Sequence, residues 1–326
     1  MPSNLASQTN PIVVTLTMNP ALDKSTSTHH VAPEDKLRCR NLRVDPGGGG
    51  INVARAIHQL GGEALPLYVA GGLSGQMLQL LLASHLSRHQ PIPIQGETRE
   101  SFTVFEETST HQYRFVLPGP TLSEAECHSV LDTIAALSPR PDYVVASGSL
   151  PPGVPDNFYV QLAERLAEWS PRLIVDTSGA PLQSIVDECA PVYMIKPNHG
   201  ELAALVGREL LDDDDILTAA RETLGRCKIE IMVVSLGAGG VLAITGDEAL
   251  FVRAPTVPIR SKIGAGDSTV AGMALGLVRG LSLLDAVRLG VAAGAATVMT
   301  PGTELCRRDD TERLFAKMKR EALRVL

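Results

Sequence analysis

Two glycine-rich stretches, each running into a helical pattern, hold the residues of this chain best suited to chemistry. The first is Pro46-Gly47-Gly48-Gly49-Gly50-Ile51-Asn52-Val53-Ala54-Arg55. Four consecutive glycines cost backbone entropy, so the position must gain from bare backbone. N–H groups exposed at the helix start can bind hydroxyls or an anion, and Asn52 in the first turn can donate to and accept from a polyol. A flexible loop is the plain alternative. The second stretch is Ile263-Gly264-Ala265-Gly266-Asp267-Ser268. Asp267 is placed to cap a helix. It is equally placed to take a proton from a substrate hydroxyl, while the N–H groups around Gly264, Ala265 and Gly266 face charge building on a transferring phosphoryl group. The two roles are compatible.

Two further turns follow apolar strands. In Lys196-Pro197-Asn198-His199-Gly200-Glu201 an amide and a carboxylate stand three apart. They form a capping box, or they organise Mg²⁺ through its waters. Ser235-Leu236-Gly237-Ala238-Gly239-Gly240 reads as a hairpin turn or as a turn lining a nucleotide. It lacks the third glycine of a dinucleotide fingerprint, and no P-loop motif occurs. Lys36, Arg38, Arg40, Arg99 and Arg114 form a local basic excess suited to a phosphorylated substrate, with Arg giving bidentate contacts. His85 and His89 stand four apart with no third ligand near in sequence, so they read as surface residues. Asp212–Asp215 reads as an acidic helix start.

Elements must position these groups. Short, continuously apolar runs at Ile12–Thr17, Leu67–Ala70, Tyr143–Ser147, Leu173–Asp176, Val192–Ile195 and Ile231–Ser235 read as strands covered on both faces. Helical patterns fall between them: Ile51–Leu60, Gly75–Leu86, Ser123–Leu137, Asn157–Trp169, Gly200–Val206 and Ile216–Leu224. Repeated strand–helix–strand order implies an α/β fold, a mostly parallel sheet flanked by helices in three αβα layers. Asp23–Asp45 reads as polar and irregular. Ser101–Glu107 and Tyr113–Leu117 alternate as a hairpin. These segments, about 23–45 and 99–117, are expected to form a small β-sheet lid that pairs with a second lid in a homodimer. The C-terminal helices Ser268–Val278 and Leu284–Met299 are rich in Ala and Gly and should pack closely on the sheet; a third is expected over Asp310–Leu323. One domain over 11–326 is expected, with 1–10 a flexible N-terminus.

Composition narrows the function classes. The 326 residues are 44% hydrophobic and 20% charged, which supports a packed core. A net charge of −7 and 4% aromatics argue against nucleic-acid or anionic-membrane binding. No apolar run approaches the ~20 residues needed to cross a bilayer. Five widely spaced cysteines and no secretory signal point to reduced thiols in the cytoplasm.

The glycine run, the Asn198/Glu201 pair and Gly264–Asp267 occur in the order seen in the PfkB/ribokinase family of carbohydrate kinases. Lys36-Leu37-Arg38-Cys39, Gln112-Tyr113-Arg114-Phe115-Val116 with Pro118-Gly119, Ser147-Gly148-Ser149-Leu150-Pro151-Pro152-Gly153 and Gly290-Val291-Ala292-Ala293-Gly294 resemble most closely its minor 6-phosphofructokinase branch. The resemblance spans about Ile12 to Asp310. It implies a ribokinase-like fold and ATP-dependent phosphorylation of fructose 6-phosphate at its 1-hydroxyl; tagatose-6-phosphate and 1-phosphofructokinase activities stay open. It implies Asp267 as base, with Gly264, Ala265 and Gly266 as the anion hole. Sugar-phosphate contacts fall on Asp23, Gly48, Gly49, Asn52, Arg99 and Ser149, and lid contacts on Lys36 and Arg38. Lys196, Asn198, Ser235, Gly237 and Gly240 match the ATP side, and Glu201, with Asn198, the Mg²⁺ side. A K⁺ loop would draw on Ser261, Ile263, Thr297, Thr300 and Gly302. Many members carry Asp-Thr where this chain has Ser261-Lys262-Ile263, and Glu304 replaces a residue that is often basic. A non-catalytic sugar-phosphate sensor on the same fold is the rival from another class.

Overall fold

The computed structural model describes residues 13–320 and the backbone of 324–325. The N-terminal tail expected over 1–10, and the first residue of the expected strand at Ile12, lie outside the described residues. The strands are β1 (Val13–Thr17), β2 (Ala21–Thr28), β3 (Arg40–Gly47), β4 (Leu65–Ala70), β5 (Gln90–Pro93), β6 (Arg99–Glu106) and β7 (Gln112–Val116). They continue with β8 (Tyr143–Ser147), β9 (Arg172–Asp176), β10 (Val192–Ile195), β11 (Ile229–Ser235), β12 (Gly240–Ile244), β13 (Ala249–Arg253) and β14 (Arg324–Val325). The helices are α1 (Gly49–Gln59), α2 (Gly72–His85), α3 (Glu124–Ala135), α4 (Phe158–Leu166) and α5 (Ala180–Asp187). They continue with α6 (His199–Val206), α7 (Asp213–Leu224), α8 (Ala265–Val278), α9 (Leu283–Val298) and α10 (Arg308–Met318).

Ten strands form the main sheet in the order β14-β13-β12-β11-β10-β9-β8-β1-β4-β5. From β5 to β11 every pair is parallel, and the strands beyond β11 are antiparallel. Alternate residues of one strand serve the two faces. Val14 and Leu16 join the core under α3, α4, α5 and α7, whereas Val13 joins the core under α1, α8, α9 and α10. The expected three-layer α/β fold is therefore present, with both sheet faces covered by helices.

A second, four-stranded sheet has the order β3-β2-β6-β7. Here Asp23–Asp45 corrects the expectation of an irregular segment: its ends belong to β2 and β3, paired antiparallel with an irregularity between Ser25 and Ser27. Polar residues at half-buried positions hid the alternation. The hairpin is where the pattern placed it, as β6 and β7, and β6 also pairs in parallel with β2.

Four other elements differ from expectation. β12 and β13 extend the sheet past the glycine turn, and β5, with Pro91 and Pro93, forms an edge strand. The last helix spans Arg308–Met318 rather than running on toward Leu323. The small residues of α8 and α9 serve the contact between these two helices. A Cβ on Gly272 would sit 2.7 Å from the Leu289 carbonyl oxygen, and one on Gly290 would sit 2.4 Å from Met273 Cγ. The acidic run behaves as expected: Asp212 caps α7, its Oδ1 accepting from Asp215 N at 2.9 Å.

Candidate active site

The parallel strands deliver their last residues to one edge of the sheet, where ligands bind in open α/β folds. β1 leads to Asn19, β8 to Ser149, β9 ends on Asp176, β10 leads to Lys196 and β11 ends on Ser235. The N-termini of α1 and α8 open onto the same edge.

The glycine run is needed because each residue is pinched by a different neighbour. A Cβ on Gly47 would fall 2.0 Å from Asp23 Oδ2, on Gly49 2.4 Å from Ser147 Oγ, and on Gly50 2.4 Å from the Leu16 carbonyl oxygen. Gly48 precedes the helix at φ +114°, which glycine alone adopts freely. Ile51 N donates to Thr17 Oγ1 at 2.8 Å, which fixes the start of α1.

α1 carries Asn52 toward α8. Asn52 Nδ2 donates to Asp267 Oδ2 at 2.9 Å, joining residues 215 apart in the chain. Gly264 caps α8 in the left-handed region at φ +74°. In the first turn Ala265 N donates to the Lys262 carbonyl at a long 3.5 Å, and the N–H groups of Gly266 and Asp267 have no backbone acceptor. Asp267 is half-buried. Desolvation pushes its pKa up to about 6, with Asp176 and Asp23 adding to the rise and the Asn52 bond and Lys196 opposing it. A carboxylate so tuned is a proton acceptor suited to neutral pH.

Lys196 is buried and pairs with Asp176 Oδ1 at 3.1 Å. Burial pulls its pKa down, but Asp176, Glu201 and Asp267 together raise it above the ordinary value, so the charge is kept. Its Nζ lies 4.0 Å from where a side chain on Gly266 would begin, beside the open amides of α8. Asn198 and Glu201 make both halves of a capping box: Asn198 N donates to Glu201 Oε2 at 2.7 Å and Glu201 N to Asn198 Oδ1 at 2.9 Å. Beyond them a cavity of about 650 Å³ opens between α6, α7 and the β11–β12 turn, lined in part by Asn198, Asp212, Ser235, Gly237, Phe251 and Arg253. Gly240 does not line it. At φ +118° it closes the turn, where a Cβ would fall 2.2 Å from the Val252 carbonyl oxygen.

On the opposite side of Asp267 stands the lid. Desolvation raises the Asp23 pKa to about 6, against the pull of Arg114 and Arg99. Arg99 donates to the backbone carbonyls of Leu117 at 3.1 Å and Asn19 at 2.9 Å, while its buried Nε has no protein partner. Ser149 Oγ accepts from Asn19 Nδ2 at 3.2 Å. Lys36 and Arg38 sit on the exposed connection between β2 and β3 and make no hydrogen bond or ion pair with the other candidate residues.

The candidate cation residues meet in the loops beside Gly264. Ser261 Oγ donates to the Gly302 carbonyl at 2.7 Å, and Ile263 N donates to Ser261 Oγ at 3.2 Å. The hydroxyl of Thr297 bonds to Ser268 Oγ and the Ala293 carbonyl, and that of Thr300 to the Thr297 carbonyl. Among the described residues no group of three or more His, Cys, Asp or Glu is placed to hold a metal. His85 is exposed on α2, and His89 Nδ1 lies 2.9 Å from the Tyr68 hydroxyl.

Two residues escaped the sequence reading. Asp176 had one signal, an acidic residue ending an apolar strand. Arg55 lies inside the quoted glycine motif. Its Nη1 donates to the Pro46 carbonyl at 2.9 Å and to Asn52 Oδ1 at 3.4 Å. A guanidinium can only donate, so it settles which end of the Asn52 amide faces Asp267.

The sequence profile described as pfkB family carbohydrate kinase matches residues 9–310. The chain is 48% identical over 305 residues to an ATP-dependent 6-phosphofructokinase isozyme 2 of Mycobacterium tuberculosis, covering 94% of this chain and 89% of that one. The structure of Escherichia coli phosphofructokinase-2 in complex with fructose-6-phosphate superposes with a TM-score of 0.88 at 40% identity, covering 95% of this chain and 99% of that one. The same enzyme in complex with potassium gives 0.90 at 41% identity, over 95% and 99%. With the profile match spanning nearly the whole chain, and relatives this similar, the chain belongs to the pfkB family of carbohydrate kinases.

Proposed function

We propose that this chain transfers the γ-phosphoryl group of ATP to the 1-hydroxyl of fructose 6-phosphate. The observation that carries the reading is the Asp267–Asn52 bond beside the open first-turn amides of α8, with Lys196 on the flank. Asp267 takes the hydroxyl proton as the oxygen attacks phosphorus in line. The N–H groups of Ala265, Gly266 and Asp267, with the Lys196 ammonium, meet the charge that spreads over the equatorial oxygens. The cavity past Asn198 holds the nucleoside. The Arg99 guanidinium supplies positive charge to the phosphate already on the sugar, and Asp23, Asn52, Ser149 and the amides of Gly48 and Gly49 hold the hydroxyls.

Mg²⁺ fits the hard oxygen donors here. One oxygen of Glu201 is spent on its cap and the other is left over, and Asp176 is near. When bound with ATP, the ion supplies charge neutralisation at the β- and γ-phosphates. The loop of Ser261, Ile263, Thr297, Thr300 and Gly302 would hold K⁺ beside the α8 cap, a reading supported by the potassium complex of the E. coli enzyme. Free cysteines support a reducing, cytoplasmic setting.

The test is a coupled assay of ADP release with fructose 6-phosphate, fructose 1-phosphate and tagatose 6-phosphate. Fructose 6-phosphate should give the highest kcat/KM. Asp267→Ala should lower kcat by about 10²–10⁴-fold with KM values little changed. Binding of the sugar phosphate without ADP formation by the native chain would favour the sensor reading instead.

A further inference from the structure

At the end of the sheet opposite the candidate site, two cysteines lie side by side. Cys189 follows α5 and leads into β10; Cys227 follows α7 and leads into β11. These strands pair in parallel from Val192 against Ile229, so the two leads are neighbours. Cys189 takes a left-handed φ of +52°. Its Sγ lies 3.0 Å from the carbonyl oxygen of Arg226, the residue before Cys227, and 3.7 Å from that of Val186. Cys227 Sγ lies 3.2 Å from the same Val186 oxygen. Both side chains are half-buried and reachable from solvent, whereas Cys127 and Cys306 are buried and Cys39 is exposed on the lid connection.

We propose that Cys189 and Cys227 are a reversible dithiol–disulfide pair, oxidised by small disulfides such as glutathione disulfide. The Cys189 thiolate attacks one sulfur of the small disulfide; that S–S bond breaks and one small thiolate leaves. Cys227 loses its proton and displaces the second, closing the protein S–S bond. The chain gives up two electrons and two protons, and the small disulfide becomes two thiols. Burial and the neighbouring thiol push the Cys227 pKa up to about 11, which suits it to the second step rather than the first. The closed bond ties the starts of β10 and β11. It also closes a loop that contains α6 and α7, together with Lys196, Asn198 and Glu201. Because it forms at the amino ends of these strands, it leaves the site at their carboxyl ends in place, and its effect is on resistance to unfolding.

The full-length protein is equilibrated in glutathione buffers of graded potential, quenched with N-ethylmaleimide in denaturant, and mapped by mass spectrometry. The expected result is a linked peptide pair carrying residues 189 and 227 that dithiothreitol reverses. The thermal midpoint of the oxidised form should rise by about 5 °C, with kcat unchanged. Cys227→Ser should stop at a glutathione adduct on Cys189, whereas Cys189→Ser should leave Cys227 largely unmodified. Adducts alone in the native protein, a link that uses Cys39, or an unchanged midpoint in the linked form would overturn the proposal.

Discussion

Asp267 is held in a balance that its neighbours set. Desolvation and the charges of Asp176 and Asp23 raise its pKa to about 6, and Asn52 and Lys196 hold it from rising further. A base must be deprotonated to act, so kcat/KM should fall as pH drops through about 6, with activity full above that value. Asp23, raised to about 6 as well, titrates in the same range, so the acid limb reports the two carboxyls together. A pH–rate profile flat down to pH 4 would remove Asp267 from the proton transfer. Arg55 acts one step back, as a positioning residue. Without it the Asn52 amide is free to turn its oxygen toward the carboxylate, and the opposing bond is lost. Arg55→Met should therefore lower kcat by about 10-fold or more and move the acid limb upward, and Arg55→Lys should restore part of both. A role in stability alone would lower the thermal midpoint and leave the limb where it was. Asp267 as the base was legible in the sequence, but its bond to Asn52 was not, because the two meet only through the packing of α1 against α8.

At the scale of elements, the two active-site helices are positioned by how closely backbones approach. The α8–α9 contact leaves no room at Gly290, where a Cβ would meet Met273 Cγ at 2.4 Å and the Thr269 carbonyl oxygen at 2.6 Å. The Met273 side chain can move, but the carbonyl cannot without shifting α8. Gly290→Ala should destabilise the protein by about 1–3 kcal/mol, seen as a lower thermal midpoint, and should also reduce kcat because α8 presents Asp267. A stabilised or unaffected protein would show that the helices have slack. The alternation of apolar strands and amphipathic helices made the parallel core legible, as did the acidic start of α7. The strands that were missed have different causes. β2 and β3 belong to a sheet with little buried surface, so polar residues fill positions that a core strand would give to Val or Ile. β12 and β13 follow a glycine turn that read as a nucleotide-lining turn as easily as a hairpin. The motifs of the site were legible through their order: each alone also read as a loop, a cap or a hairpin turn, and their succession along the chain is what matched the family. Asp176 was hidden because its role depends on Lys196, which arrives from the adjacent strand β10.

At the scale of the whole molecule, the lid leaves apolar surface open to water. Phe102 and Phe115 are cross-strand partners on β6 and β7, with exposures of 37% and 54%; Leu117, two residues past Phe115, is 44% exposed, and Val116, opposite Ser101 on the other face, is 58% exposed. Leu37 and Leu42, on the connection before β3 and on β3 itself, are exposed as well. A four-stranded sheet with an open apolar face is poorly protected from further association. The surface is accounted for if two copies cover it with each other, which is why a homodimer is expected. Such a pairing would also bring the Lys36 and Arg38 connection of one copy near the neighbouring lid, giving a place to two basic residues that touch no other candidate residue within one chain. Phe115→Glu puts a charge into the middle of that patch and should shift the protein to monomers in sedimentation velocity. The lid would then close less well over the sugar, so KM for fructose 6-phosphate should rise several-fold while the nucleotide, bound on the far side of Asp267, keeps its own KM. An unchanged sedimentation coefficient would assign the dimer, if one forms, to another surface. A monomer with native kinetics would show that each lid closes its site alone.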